Sequence, residues 1–322
     1  VTSIPTFGAT GGYPIKLGWL PKIHAAVLAD PYVFERDDAP TLLGVGTSQV
    51  RAMRFWSLAG GLTLRVPKPR GIAVTARGRW LLDPDGADPW LESPETWWLL
   101  HWWILEAPSR LPAFRQLFNS WPFANFARDR YRQAVIREAS QLRGSKPSKT
   151  GLDHDLTALV CNYASVQPTE DAPLRRGALE DEITTPMRQL RLLSHDGQRL
   201  QLHRDAGHLI PAAIVTYACL DYAHRRHPGP GSISLHQLLD GDGAPGRILA
   251  LRPEALTRAL AASARHWPQL ALVEGNGARL HFGDEPLSLA WSILNRHYRH
   301  EPPPDARPEL APRGAPGQNT LF

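Results

Sequence analysis

Residues 37–74 read DDAPTLLGVGTSQVRAMRFWSLAGGLTLRVPKPRGIAV, and this stretch decides the fold of the N-terminal part. Asp37 or Asp38 can cap a short helix ending at Leu43, because a short carboxylate satisfies the free N–H groups of a helix start. Gly44-Val45-Gly46 makes a tight turn, Thr47 or Ser48 caps a second helix running to Ala59, and Gly60-Gly61 stops it. Two helices about a tight turn are the pattern of a helix-turn-helix. Leu62 to Val66 and Gly71 to Thr75 then read as strands joined by Pro67-Lys68-Pro69-Arg70, a hairpin with a basic tip that serves as a wing.

On the second helix Val50, Met53 and Trp56 or Leu58 share an inward face, whereas Ser48, Gln49, Arg51 and Arg54 point outward, with Thr47 at the helix start. Gln and Arg are types that read base edges, each bidentate contact adding about 1–3 kcal/mol of discrimination. From Arg51 through Leu82 there are seven basic residues and no acidic one. The DNA-binding set read from this window is therefore Thr47, Ser48, Gln49, Arg51 and Arg54 on the helix and Lys68 and Arg70 in the wing. The plainer alternative is a winged fold that serves protein contacts and carries solvated charge.

Outward from this window, the chain has 322 residues, 43% hydrophobic and 21% charged, with 30 Pro and 26 Gly. That composition excludes disorder of the whole and makes two domains the default. No apolar run approaches the roughly 20 residues of a membrane span, since Trp97 to Leu105 is interrupted by His101. The N-terminal residues lack a basic stretch followed by an apolar run and a cleavage site, so a cytoplasmic address is expected. Cys161 and Cys219 lie in apolar segments without CxxC or His spacing and read as reduced core thiols.

Of 36 basic residues 31 are Arg, the side chain whose planar fork suits phosphate and guanine. Residues 1–150 hold 19 Lys and Arg against 12 Asp and Glu, and the remainder 17 against 19, which assigns the basic surface to the N-terminal half. Residues 1–20 alternate Gly, Pro and aromatics and read as an extended arm. Residues 21–82 form the winged helix-turn-helix, and residues 83–145 a Trp-rich helical region in which Ser93 caps and Pro94 opens a buried helix. Helices are predicted over Ala113–Leu117 and Asn125–Leu142. After a polar boundary, residues 152–300 form a mostly helical domain, with a hairpin about Gly275-Asn276-Gly277, and the Pro-rich residues 301–322 read as a disordered tail. The fold class is mainly α with small β-hairpins (α+β). No P-loop and no GxGxxG following a strand is present, which removes support for a nucleotide-binding reading.

Hydrolysis of a phosphodiester calls for carboxylates that hold a divalent metal. Two groups qualify by type: Asp153-His154-Asp155 at a helix start, and Glu180-Asp181-Glu182. Neither spacing is diagnostic, and Asp at a helix start is more often a cap. A second basic stretch, Arg110 to Lys149, carries nine Lys and Arg against two acids. Its aromatics read as core, while Arg128, Arg130 and Arg132 are placed for phosphate contacts. His101 reads as a satisfied core histidine.

FGATGGYPIKLGWLPK, TLLGVGTSQVRAMRFWSLAGGL, WLESPETWWLLHWWIL, Phe118-Asn119, GLDHDLTALVCNY and LEDEITTPMRQLRLL follow one another in this order. With these motifs the chain resembles the SspB-type proteins of bacterial DNA phosphorothioation systems, long described as a domain of unknown function, over roughly Phe7 to Tyr298. The resemblance implies a DNA-nicking protein that acts on double-stranded DNA beside a cysteine desulfurase, an ATPase and a sulfurtransferase, with a divalent metal, Mg²⁺ by reaction class. Family members often carry a His-Glu pair where this chain has Thr10 and Gly11, and an Arg where it has Cys161. The positions that match, Asp155, Tyr163, Glu180 and Asp181, are the catalytic candidates, Asp155 and Asp181 also being the metal candidates. The alternative is a DNA-binding adaptor without chemistry that recruits the modification enzymes.

Overall fold

A computed structural model of the chain describes residues 7–67, 71–106, 111–141, 148–166, 184–196, 199–273 and 277–299. Helix α1 (Trp19–Ala29) buries Trp19, Leu20, Ile23 and Val27 on one face. Helices α2 (Ala39–Leu43) and α3 (Thr47–Ala59) stand on either side of the Gly44–Gly46 turn. Strands β1 (Thr63–Val66) and β2 (Gly71–Val74) then pair antiparallel, Thr63 opposite Val74. Lys68 and Arg70, expected at the tip of a wing, lie outside the described residues.

The caps differ from the expected ones. Asp38 precedes α2, but its carboxylate accepts Arg36 Nε and Nη2 at 2.7 and 2.8 Å and makes no cap bond. The N-cap of α3 is Gly46, with Gln49 Oε1 accepting the Gly46 N–H at 3.1 Å, so Thr47 is already helical and neither it nor Ser48 caps. The Gln49 side chain thus makes the reciprocal half of a capping box, satisfying the N–H of the N-cap residue itself. Thr75 caps α4 (Ala76–Leu82) by accepting from Gly78 N at 2.9 Å, and donates its own hydroxyl to Gly61 O at 2.7 Å. That bond ties the end of α3 to the start of α4.

Helix α5 (Pro94–Glu106) buries every side chain from Thr96 to Leu105, as the Trp-rich stretch requires. Two of its indoles are partnered across the core: Trp102 Nε1 donates to Asp221 Oδ2 and Trp103 Nε1 to the Tyr217 hydroxyl, both at 2.9 Å. Helix α6 (Pro112–Arg115) runs into a π-turn over Gln116–Ser120, closed by Trp121 N to Gln116 O at 2.8 Å. The helix expected over Asn125–Leu142 begins three residues late. Asn125–Ala127 is strand β3, and α7 (Arg128–Gln141) follows it. Helix α8 (Lys149–Tyr163) is capped by Ser148, whose hydroxyl accepts from Gly151 N, so the Asp153–Asp155 run lies inside the helix and not at its start.

A four-stranded sheet in the order β3-β6-β5-β4 was not legible beforehand; it contains β4 (Ala164–Val166), β5 (Leu193–His195) and β6 (Arg199–Leu202). The remaining elements are α9 (Ala212–Arg226), β7 (Gly231–Ser234), α10 (Leu235–Asp240), α11 (Pro245–Ile248), α12 (Pro253–Ala264), β8 (Leu270–Val273), β9 (Arg279–Phe282) and α13 (Pro286–Tyr298). Strands β8 and β9 form the expected hairpin, with β7 added on the far side of β9. Its turn residues Gly275 and Asn276 and the tail 301–322 lie outside the described residues. The whole is mainly helical with small sheets. Helix α13 packs back on the early part of the chain, Trp80 Nε1 donating to Asn295 Oδ1 at 2.7 Å and Thr96 bonding the Tyr298 hydroxyl at 2.9 Å. Among the described residues no helix is long and apolar enough to cross a membrane. Neither Cys161 nor Cys219 is in a disulfide, and burial pushes the Cys219 thiol well up.

Candidate functional site

The outward face of α3 is divided. Val50, Met53 and Trp56 are buried, as their spacing predicts, and Thr47, Ser48 and Arg51 are exposed. Gln49 is half-buried and committed to its cap. Arg54 is half-buried too: its guanidinium reaches Glu35 at 3.0 Å and lies 5.8 Å from the centre of the Phe34 ring. Its placement is therefore a correction to the outward set, because one more turn along α3 brings the side chain over the short helical turn Val33–Glu35. The face left to a ligand is Thr47, Ser48 and Arg51, with Arg65 of β1 exposed nearby in sequence.

The expected extended arm is instead a folded turn packed on α8. Residues 8–13 make tight turns, with Gly11 N to Gly8 O at 3.1 Å and Tyr13 N to Thr10 O at 3.0 Å. Asp155 holds this turn. Its Oδ2 accepts the Gly8 N–H at 2.9 Å and its Oδ1 the Thr10 hydroxyl at 3.2 Å. Farther along, Asn162 Oδ1 accepts the Ile15 N–H and Trp56 Nε1 donates to Tyr13 O, both at 3.0 Å. Gly8 has φ +77°, and a Cβ there would lie 2.7 Å from Gly151 Cα. Two glycines thus let the backbones touch, a contact any side chain would open. Thr10 accordingly sits against Asp155 of α8.

Asp155 is 1% exposed, and burial lifts its carboxyl to about 7 against the opposing bonds from Gly8 and Thr10. A carboxylate so enclosed, with each oxygen facing a donor, does not fit a magnesium ion, which keeps several waters and takes only one or two carboxylates. Asp153 is a separate matter: it pairs with Arg132 at 2.8 Å, and that bond holds its carboxyl below the usual range. Arg128 bonds Thr157 at 3.0 Å, and Arg130 stacks 3.9 Å from the Phe123 ring centre.

Tyr163 ends α8 in the interior, its hydroxyl donating to His101 Nδ1 at 2.8 Å among Phe114 and Phe118. His101 Nε2 is 2.8 Å from Ile248 O, and since a carbonyl only accepts, Nε2 carries the proton and Nδ1 is the acceptor. Burial lowers His101 to about 4, so it is neutral, the satisfied core histidine its setting on α5 suggests. Burial raises the Tyr163 phenol far above its usual range. Eight residues separate Asp155 from Tyr163, roughly 12 Å along the helix, so the two do not act on one atom. Glu180 and Asp181 lie outside the described residues. Among the described residues no three His, Cys, Asp or Glu side chains come together as a metal site.

A cavity of about 1050 Å³ opens between α1 and residues 84–97 and is lined by Lys22, His24, Leu28, Trp90 and Trp97 among others. None of the sequence-predicted residues that are described lines it. Another polar constellation was also missed, around Asn119 on the π-turn. Its amide donates to Asp242 Oδ1 at 2.7 Å and its carbonyl oxygen accepts Gly243 N at 2.7 Å. The signal available was the Phe118-Asn119 motif together with Gly-Asp-Gly between two helices.

A family model described as "Protein of unknown function (DUF4007)" matches residues 7–298. No curated protein matches the chain. Two solved structures do: a crystal structure of SspB, 33% identical with a TM-score of 0.85, and a magnesium-ion-bound crystal structure of SspB, 34% identical with the same TM-score. Each match covers 94% of this chain and 90% of the other. The chain belongs to the DUF4007 family and is SspB-like in both sequence and fold.

Proposed function

We propose that the protein works in a bacterial DNA phosphorothioation system, where it binds double-stranded DNA and nicks one strand beside a cysteine desulfurase, an ATPase and a sulfurtransferase. The observation that carries this reading is the likeness to SspB along 94% of the chain. The α2–turn–α3 unit with its β1–β2 pair would act as the winged DNA reader, Thr47, Ser48 and Arg51 facing the groove and Lys68 and Arg70 following the backbone. Asp155 serves in this reading as a positioning residue, fixing the Gly8–Thr10 turn on α8. Glu180 and Asp181 are the carboxylates proposed for the cation, and a magnesium-bound relative supports a role for that ion.

A second reading, an adaptor that binds DNA without cutting it, is favoured by the burial of Asp155 and Tyr163 and the engagement of all their polar atoms. Supercoiled plasmid incubated with the purified protein, with Mg²⁺ or with EDTA, separates the two. Open-circular product that forms only with Mg²⁺ establishes nicking. A retarded but intact plasmid under both conditions establishes the adaptor.

A further inference from the structure

Arg115 and Arg226 bond the loop Gly241–Gly243 between α10 and α11, while Arg247 and Arg204 bond the backbone of Asn119 and Trp121, at the end of the π-turn that Asn119 ties to this loop. Arg115 Nη2 donates to Asp242 Oδ2 at 3.0 Å, and its Nη1 to Leu105 O at 3.1 Å. Arg226, the last residue of α9, donates to Asp242 O at 2.9 Å and lies 3.5 Å from the Tyr222 ring centre. Arg247 of α11 donates to Asn119 O at 3.1 Å. Arg204 donates to Trp121 O.

The loop is built to close tolerances. Gly243 has φ +64°, and a Cβ there would lie 2.7 Å from Arg115 Nη2; at Gly241 it would overlap the Tyr222 hydroxyl. Asn119 bonds both Asp242 and Gly243, so the π-turn and the loop position each other. Such turns recur at functional sites.

Two features go beyond arginines that merely cap carbonyls. A guanidinium has five donors, and the bonds among described residues use two of Arg115 and one each of Arg204, Arg226 and Arg247. Charge is also unbalanced: Asp242 is the one carboxylate bonded to this group among the described residues, and its side chain is 78% exposed. Glu138 stands close by, and burial, with Asp242, raises its carboxyl above the ordinary value against the opposing bond from Gln116 and the charge of Arg115. Partial burial and Arg247 lower Arg204, and partial burial, Arg225 and Arg115 work against charge on Arg226. An exposed ion pair adds little to stability, so holding one open carboxylate does not account for four guanidiniums along this turn and loop.

We propose that Arg115, Arg204, Arg226 and Arg247 form a phosphate-binding site that takes a backbone phosphate of duplex DNA, Asp242 being the internal counter-ion that the phosphate displaces. The fork of a guanidinium pairs with two phosphate oxygens at once, and several forks around one position suit the diester backbone. The site rests on the DNA-binding reading above and extends it to residues outside α3.

The test is fluorescence anisotropy of a labelled duplex between about 50 and 200 mM salt, with the full chain and three variants. Arg204→Gln combined with Arg226→Gln is expected to weaken binding about tenfold or more and to reduce the slope of log affinity on log salt by roughly 2, since each phosphate contact contributes about 0.9. Asp242→Asn is expected to tighten binding severalfold, because it removes the competing charge and keeps the shape. A purely structural cluster predicts the reverse or no change. Equal affinity and slope in the double variant, with a melting transition like wild type, overturns the inference, as does weaker binding by Asp242→Asn. If the double variant fails to fold, Asp242→Asn decides alone. Arg51→Ala separates the two readings: loss with Arg51→Ala but with neither loop variant leaves α3 as the reader and removes this site. No duplex binding by wild type overturns both. Inorganic phosphate that broadens in its ³¹P spectrum with wild type but not with the double variant, in the absence of duplex binding, would reassign the site to free phosphate and overturn the DNA form.

Discussion

The outer face of α3 and the joint between residues 8–13 and α8 use the same kinds of polar residue to opposite ends. On α3, Arg51 stands in solvent and adds nothing visible to the fold. At the joint, Asp155 is sealed and ties together segments 147 residues apart through Gly8. Residue type alone marks both as functional, while burial separates a side chain that can meet a ligand from one that assembles the platform beneath it. A carboxylate in a motif is therefore a candidate for chemistry only when an oxygen is free to face the substrate.

Gly8→Ala is the strongest way to break the joint. Positive φ and overlap with Gly151 together should cost about 3 kcal/mol, read as a lower urea midpoint. An unchanged midpoint would mean that the turn contributes no stability. Tyr163→Phe follows: it strips His101 Nδ1 of its donor inside the core, a loss of about 2 kcal/mol by the same measurement. A merely surface-linked tyrosine would show none of it.

Asp155→Asn sharpens the comparison through pH. The native carboxyl titrates near 7 and the unfolded one near about 3.9, so the native state holds a proton that the unfolded chain has released. Stability from this group is present below about pH 4 and is lost as pH rises through about 7. Asn keeps the acceptor for Gly8 N–H and does not ionise, so the variant should melt about 2–4 °C above wild type at pH 8, an effect near 1 kcal/mol, and show a flatter pH profile. Equal profiles would place the ionisation elsewhere.

On the opposite side of the comparison, Arg51→Ala should leave melting within about 0.5 kcal/mol while weakening duplex binding fivefold or more on a preferred sequence. Arg54→Ala should change stability by no more than about 1 kcal/mol, since its pair with Glu35 is partly exposed, and should affect binding less than Arg51→Ala.

Much of the helical scaffold was legible because it repeats: α3, α5, α9, α12 and α13 carry apolar residues at three- and four-residue spacing over three turns or more. Strands β3 to β6 were not, because three or four residues are too few for an alternation to rise above its surroundings. The turn at residues 8–13 reads as loop for the same reason that it docks, its glycines having no side chain to advertise a partner 143 residues on at Gly151. At the candidate site, the inward residues of α3 followed from periodicity. The fate of Arg54 depended on Glu35, which only the tertiary turn brings near. A running charge count puts Arg115 in the basic stretch Arg110 to Lys149 but gives no sign that Arg204, Arg226 and Arg247, dozens of residues farther on, belong with it.

The bond from Trp80 to Asn295 spans 215 residues and closes a ring cluster with Trp103, Trp291 and Tyr298. On a ribosome adding about 5–20 residues per second, roughly 10–40 s elapse between the emergence of the first partner and the last. Through that interval the indoles of α4 and α5 have no lid, and the nascent chain presents its stickiest surface to the crowded cell. Guarding that surface until α13 arrives is the problem that synthesis of this protein must solve each time.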